Sequence, residues 1–478
     1  MTKAWVPTKL NARLTRAMGL VGSVARDKTL VFRTDVFTNR QGGYPRYRIP
    51  ALVQLDDLAS GHLLAFAEGR SGLGDAGKID LVYRESFDGG RSWGSGPVTV
   101  LSTASDLGDP ALIGGTLGNP VPIYLAETQR LLVLACSNGK DATESKINAG
   151  TVSPAATRRV WLFSGTVKES GVVWDGAARE LTAEVKRPGW TWVATGPANG
   201  VVLANGTIAV PCNHAGGSPD TGDRSHLMFS PDVGATWTIL DGFAPEGSSE
   251  GAMAQVSSGE LLLNSRDNNG KPRPMMVFAG APPTPSLVSS FLPVGLKEPP
   301  EGCEGALAAL PAVAEKPDSV PPGAVFFSKV NSAARRQHLT IFRSDDLGHS
   351  WPRSFLVEKG ASGYSSLLFL GGGSDGGGDV ATAWCWLLHV WQVWLRGGDG
   401  KDGGAAAPAD VDDKEAGEVP SRAMEDGLGV LFESGGAFWW SPLVEWIGYL
   451  IESPLWFAQR ISFARVSLGP ASPLVIPS

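Results

Sequence analysis

The chain has 478 residues and a net charge of −7, so it lacks the basic excess that a nucleic-acid surface needs. With 42% apolar residues, 61 Gly and 34 Pro, it can bury a core but is too turn-rich for a helical bundle. An anionic ligand would have to be met by a local cluster of arginines.

The first 26 residues carry Lys3, Lys9, Arg13, Arg16 and Arg26 without an acid, and no apolar signal segment follows. Residues 1–29 read as a basic, disordered lead-in. From about residue 30 to 440, apolar runs of strand length at 51–53, 79–83, 131–135, 201–203, 207–210, 261–263 and 339–342 alternate with Gly, Asp, Asn and Pro. Short strands with regular turn signals predict a sandwich, a barrel or a propeller. The uncharged stretches at 188–219 and 274–296 are broken by Pro, Gly and polar residues, so neither reads as a membrane span.

The turn Ser86-Phe87-Asp88-Gly89-Gly90-Arg91-Ser92-Trp93 separates these possibilities, because it recurs at 230–237 and at 344–351 as Ser-x-Asp-x-Gly-x-Ser/Thr-Trp. A degenerate fourth copy is expected at 164–174. In each copy the Asp accepts turn amides, the Gly permits a positive φ and the Trp packs between strands. Repetition of one hairpin turn means a radial array of similar sheets, and the spacing suits six four-stranded units. Two segments break the pattern, a Gly/Trp-rich insertion at 371–424 and an apolar insertion at 437–457, and residues 282–322 form a lengthened Pro-rich loop. The apolar runs are compatible with packing beside the last sheet and with peripheral contact to a membrane or a partner. Cys136, Cys212, Cys303 and Cys385 are far apart and read as reduced thiols, mostly buried, which points to a reducing, cytoplasmic location.

Tyr47-Arg48-Ile49-Pro50, an apolar strand at 63–67, a Gly/Asp loop and the first Asp-containing turn follow one another. In that order they resemble the exo-α-sialidase (neuraminidase) family, over roughly residues 30–470. The resemblance implies an all-β fold, a six-bladed β-propeller of four-stranded antiparallel sheets. It also implies hydrolysis of terminal α-linked sialic acids on glycoproteins, glycolipids or oligosaccharides. Sialic acid bears a carboxylate on its anomeric carbon, and planar guanidinium forks match a carboxylate best. The family's three arginines fall on Arg48, on Arg266 at the end of the run that starts at Glu250, and on Arg336, with Arg335 as the alternative. That carboxylate would repel a carboxylate nucleophile, and sialidases use a tyrosine instead. Gly363-Tyr364-Ser365 matches the family's nucleophile strand, which gives Tyr364 as nucleophile and Glu250 as its base. Asp75, in the loop after Arg70, is the expected acid/base and Arg70 a substrate contact, with Asp80 as the rival acid. Glu433 matches the glutamate that holds the first arginine.

At 210–214 the tyrosines that animal members place near the glycerol tail are lacking, and His214 reads as a surface-loop residue. No HExxH, P-loop, EF-hand or Rossmann motif occurs, so neither a metal nor another cofactor is expected. Two alternatives stay open: a trans-sialidase or intramolecular-transfer enzyme on the same fold, and a non-catalytic binding propeller, which predicts loss of the Tyr/Glu/Asp set.

Overall fold

The computed structural model describes residues 30–55, 61–216, 222–256, 259–280, 284–309, 324–369, 385–389, 427–434 and 460–467. The expected lead-in at 1–29, the apolar insertion at 437–457, most of the Gly/Trp-rich insertion and part of the Pro-rich loop lie outside these residues, and with them the expected membrane contact. No helix among the described residues is long and apolar enough to cross a membrane.

The described chain is all-β, and its strands follow one another mainly as antiparallel neighbours. The first meander contains β2 (Arg46–Gln54), β3 (Leu63–Arg70), β4 (Ile79–Ser86) and β5 (Thr99–Ser102). A second follows with β6 (Thr116–Leu125), β7 (Arg130–Asn138), β8 (Arg159–Lys168) and β9 (Gly171–Trp174), with β10 (Arg179–Glu180) also paired to β8. In the third, β11 (Trp192–Thr195) and β12 (Val201–Val202) both pair with β13 (Ile208–Ala215), followed by β14 (Arg224–Ser230) and β15 (Thr238–Ile239). The fourth runs through β16 (Ser248–Gln255), β17 (Leu261–Asp267), β18 (Met275–Ala279) and β19 (Ser286–Phe291).

The fifth meander holds β20 (Ala306–Ala309), β21 (Val325–Val330), β22 (Gln337–Ser344) and the first half of β23 (Arg353–Phe369). The second half of β23 pairs with β25 (Gly427–Ser434), β25 with β26 (Arg460–Ser467), and β26 with β1 (Leu30–Thr38), so strands from the two ends of the described chain share one sheet. Part of the expected Gly/Trp-rich insertion is also a strand of this sheet, β24 (Cys385–His389), antiparallel to β23 and parallel to β25.

The apolar runs are continuous because both faces of most strands are covered, and successive side chains point to opposite faces. In β3, Leu63, Ala65 and Ala67 pack toward β25 and β26, while Leu64 and Phe66 pack toward β6–β8. The same alternation divides β7, β17, β18 and β21 between neighbouring core clusters. Each cluster joins one meander to the next, and one joins β1, β25 and β26 back to β2–β4.

All three Asp-containing turns connect the third and fourth strands of a meander. In the first, Ser86 Oγ accepts the Gly90 amide at 2.8 Å and Asp88 accepts the Ser92 amide at 2.9 Å. The second and third repeat both bonds, at 2.8 and 2.8 Å and at 2.8 and 2.9 Å. Gly90, Gly234 and Gly348 have positive φ, and Trp93, Trp237 and Trp351 are buried. The expected fourth copy is not such a turn. Residues 164–174 belong to the β8–β9 hairpin, where Ser164 Oγ donates instead to Asp175 at 2.6 Å.

His214 also differs from expectation. It lies on β13, fully buried, stacked on Trp190 at 3.7 Å and with its Nδ1 3.0 Å from Nδ1 of His226. The strand pairing puts both rings in one layer, which sequence distance does not show. Cys136, Cys212 and Cys303 are free and buried, as expected.

Candidate active site

In an antiparallel hairpin the start of one strand and the end of the next share an edge. Arg48 near the start of β2 and Arg70 at the end of β3 therefore lie at one end of the first meander, as Glu250 near the start of β16 and Arg266 near the end of β17 lie at one end of the fourth, and Tyr364 contacts both Arg48 and Arg266. At this edge the leading strands carry register shifts, between Arg48 and Ala51, Gly118 and Val121, Ser248 and Gly251, and Ser362 and Ser365. Such bulges re-aim side chains. The first places Ile49 at φ +56°, a conformation that costs a β-branched residue about 1–3 kcal/mol. Glu433 offsets that cost by accepting the Ile49 amide at 3.0 Å.

Tyr364 lies on β23 at the centre of the cluster. Its Oη donates to Glu250 Oε1 at 2.6 Å and accepts from Arg266 Nη1 at 2.9 Å, and the same Nη1 donates to Glu250 Oε2 at 2.7 Å. Arg48 and Arg336 stand over the phenol ring, 5.1 and 5.7 Å from its centroid. Arg335 is turned away, with Nε bonded to Gln337, so the third guanidinium is that of Arg336. Burial, then the Glu250 charge, push the Tyr364 hydroxyl well above the ordinary phenol range, against the pull of Arg266, Arg336 and Arg48. The phenol is therefore neutral until its proton has a destination.

Arg48 gives Nε and Nη2 to the fully buried Glu433, at 3.0 and 3.2 Å, and Nη1 to Asp75 Oδ1 at 3.0 Å. Arg70 Nη1 reaches the same Asp75 oxygen at 2.6 Å. Protein around the recess disfavours the Asp75 charge, but the guanidiniums of Arg70 and Arg48 outweigh this and hold its carboxyl below the usual range. Solvent still reaches 75% of that side chain, which softens the effect. The rival acid Asp80 is buried on β4 and accepts from Tyr44 at 2.8 Å, away from Tyr364 and its arginines. All eight expected residues thus gather in one recess.

Several partners were not read from the sequence. Glu68 is buried and takes both Nε and Nη2 of Arg70, at 2.8 and 2.5 Å, and its other oxygen accepts the Asn119 amide at 3.0 Å. Its i, i+2 spacing from Arg70 on one strand was a signal that could have found it. Glu301 supplies only its carbonyl, which accepts Arg266 Nε and Nη2 at 3.0 and 2.8 Å, so no side-chain pattern reports it. Glu144, on helix α1 (Glu144–Asn148), senses Asp223, Arg158, Glu250 and Arg266, and surrounding protein followed by these acids pushes its carboxyl up to about 7. Among the described residues no group of three or more His, Cys, Asp or Glu is arranged to hold a metal ion.

A family model described as a BNR repeat-like domain matches residues 61–375. The chain is 26% identical over 359 residues to a sialidase of Micromonospora viridifaciens, covering 72% of this chain and 51% of that one. It is 29% identical over 304 residues to an exo-alpha-sialidase of Aspergillus fumigatus, covering 62% and 66%, and 28% identical over 374 residues to mouse Sialidase-3, covering 67% and 84%. The chain thus spans between half and two thirds of the first two relatives. Among solved structures, the Hadza microbial sialidase Hz136 superposes with a TM-score of 0.59 at 27% identity, over 69% of this chain and 63% of that one. Trypanosoma rangeli sialidase shares the fold, with a TM-score of 0.54 at 18% identity over 74% and 58%.

Proposed function

The chain belongs to the BNR repeat-like family of sialidase type, and from that premise we propose that it is an exo-α-sialidase that removes terminal α-linked sialic acid with retention of configuration. Its substrates are sialylated glycoproteins, glycolipids or oligosaccharides. One observation carries the reading: a neutral tyrosine bonded to a glutamate at 2.6 Å, under three guanidiniums. The architecture is read as a six-bladed propeller. Six core clusters linking six successive strand groups, and the pairing of β1 with β26, support that reading.

The substrate carboxylate binds among Arg48, Arg266 and Arg336. Tyr364 Oη then attacks the anomeric carbon while its proton passes to Glu250 Oε1. The bond to the leaving oxygen breaks, and that oxygen takes a proton from Asp75. A glycosyl–tyrosine intermediate results. Water next attacks the anomeric carbon, gives its proton to Asp75, and the released Tyr364 oxygen recovers its proton from Glu250. Asp75 must first be protonated, and in the free site Arg70 and Arg48 oppose this. A bound carboxylate on Arg48 offsets that opposition, so substrate binding itself prepares the acid.

Hydrolysis of a fluorogenic umbelliferyl α-sialoside, with NMR of the first-formed anomer, tests the proposal. Expected are turnover by the wild type, an α-anomer as first product, and loss of turnover in Tyr364→Phe. Asp75→Ala should keep part of its rate on this activated leaving group and fail on natural glycans. A well-folded wild type without turnover would overturn the proposal in favour of a binding propeller.

A further inference from the structure

Residues 301–305 form a short loop before β20 that touches Arg266, Arg336 and Tyr364. The Glu301 carbonyl holds Arg266 through two bonds, and the Gly302 carbonyl accepts Arg336 Nη2 at 3.2 Å. Cys303 packs beneath Tyr364 and Ile49, and its carbonyl accepts from Arg273, itself paired with Glu298 at 2.9 Å. The loop has little freedom to move. Gly302 has φ +61°, and a Cβ there would lie 2.4 Å from the Asp267 carbonyl oxygen.

Glu304 makes side-chain contacts that the reaction above leaves unused. It is 1% exposed, and its Oε2 accepts the amide of Ser365 at 2.8 Å, the peptide directly after Tyr364. Its Oε1 is buried with no hydrogen-bond partner among the described residues. A bare carboxylate would not be left so, because an unpaired buried charge is far more costly than a neutral acid. The charges that act on it most strongly are those of Glu250, Arg273 and Glu433. Burial, then the Glu250 charge, push its carboxyl well above the ordinary range, although the Ser365 amide and Arg273 act the other way. As a neutral acid it accepts the amide without adding a negative charge beneath the phenol.

We propose that Glu304 is a positioning residue for the nucleophile: it clamps the backbone after Tyr364 and so keeps the phenol in line with Glu250 and Arg266. This rests on the reading of Tyr364 as nucleophile. A misplacement of about 1 Å costs on the order of 10²-fold in rate.

The experiment compares kcat and KM of wild type, Glu304→Ala and Glu304→Gln on the fluorogenic sialoside, with circular dichroism to verify folding. Glu304→Ala should lower kcat by on the order of 10²-fold. Its KM should stay within about threefold, because the arginines remain held by carbonyls. Glu304→Gln, which retains a carbonyl acceptor, should restore kcat to within a few-fold. A wild-type kcat in the alanine variant, or a glutamine variant as impaired as alanine, overturns the inference. If the alanine variant does not fold, Glu304→Met, of similar length but without an acceptor for the Ser365 amide, takes its place, and a wild-type kcat in it overturns the inference. Turnover by the wild type separates these failures from failure of the sialidase reading itself.

Discussion

Replacing Glu433 by alanine tests whether a buried carboxylate is what makes the first arginine tolerable in this recess. The Glu433 side chain is 0% exposed and accepts three bonds, from Arg48 Nε at 3.0 Å, Arg48 Nη2 at 3.2 Å and the Ile49 amide at 3.0 Å. Removing one member of a buried pair costs about 3–5 kcal/mol, chiefly because the other charge is left uncompensated. An unsatisfied buried amide adds about 1–3 kcal/mol. Asp75 still reaches Arg48 Nη1, but an exposed pair of that kind returns about 1 kcal/mol or less. These terms overlap, and a net loss of about 4 kcal/mol is expected. The double variant Arg48→Met/Glu433→Gln should be more stable than Glu433→Ala, because no charge is orphaned and the glutamine carbonyl still accepts Ile49. Urea denaturation followed by tryptophan fluorescence at fixed salt reads both. A Glu433→Ala loss under about 1 kcal/mol, or a double variant less stable than the single one, would refute the compensation argument.

Two pH effects follow from the same structure. Because Arg70 and Arg48 keep Asp75 ionised in the free site, binding of an unsaturated sialic acid analogue at about pH 5 should take up protons, seen by calorimetry in buffers of different ionisation enthalpy. Asp75→Asn should abolish the uptake, and equal uptake in both proteins would sink the coupling. Burial, then the neighbouring His214 and Arg187, depress the His226 imidazole well below its usual value, so the folded protein refuses a proton that the unfolded chain accepts. Stability from this group is complete above about pH 6.5 and falls with acid by about 1.4 kcal/mol per pH unit, until the folded-state value is reached. His226→Gln should flatten that slope between about pH 6.5 and 5, and an unchanged slope would show that other groups set it.

How much of this was legible depends on how each contact is encoded. Arg48, Glu250, Arg266 and Tyr364 stand in short local patterns beside turns, so the sequence displays them together with their neighbours. The choice of Arg336 over Arg335 needed only adjacency to resolve, yet it took the bonds to Gly302 and Gln337 to show which one faces Tyr364. Asp80 was removed as a rival by burial against Tyr44, a contact between the β1–β2 loop and β4. Glu304 reaches an amide 61 residues away, and Glu301 acts through a carbonyl, so neither leaves a pattern in side-chain order. His214 was misread because register, not spacing, decides which histidines meet.

A common geometry links the three arginines whose bonds reach the recess. Arg48 commits Nε and Nη2 to Glu433, Arg70 commits the same two nitrogens to Glu68, and Arg266 commits them to the Glu301 carbonyl. In each, one edge of the planar fork is bound to protein and Nη1 is the atom bonded to Asp75, or to Glu250 and Tyr364. A lysine could not divide its bonds in this way, because its ammonium is a single point on a flexible stem. The buried acids and carbonyls set the direction of each guanidinium, while the atoms that exchange partners are those on the recess side. In the proposed reaction, the carboxylate of the sugar enters by replacing Asp75 at Arg48 Nη1. Substrate binding therefore breaks one of the two guanidinium bonds that hold the acid ionised, and the bond to Arg70 Nη1 remains.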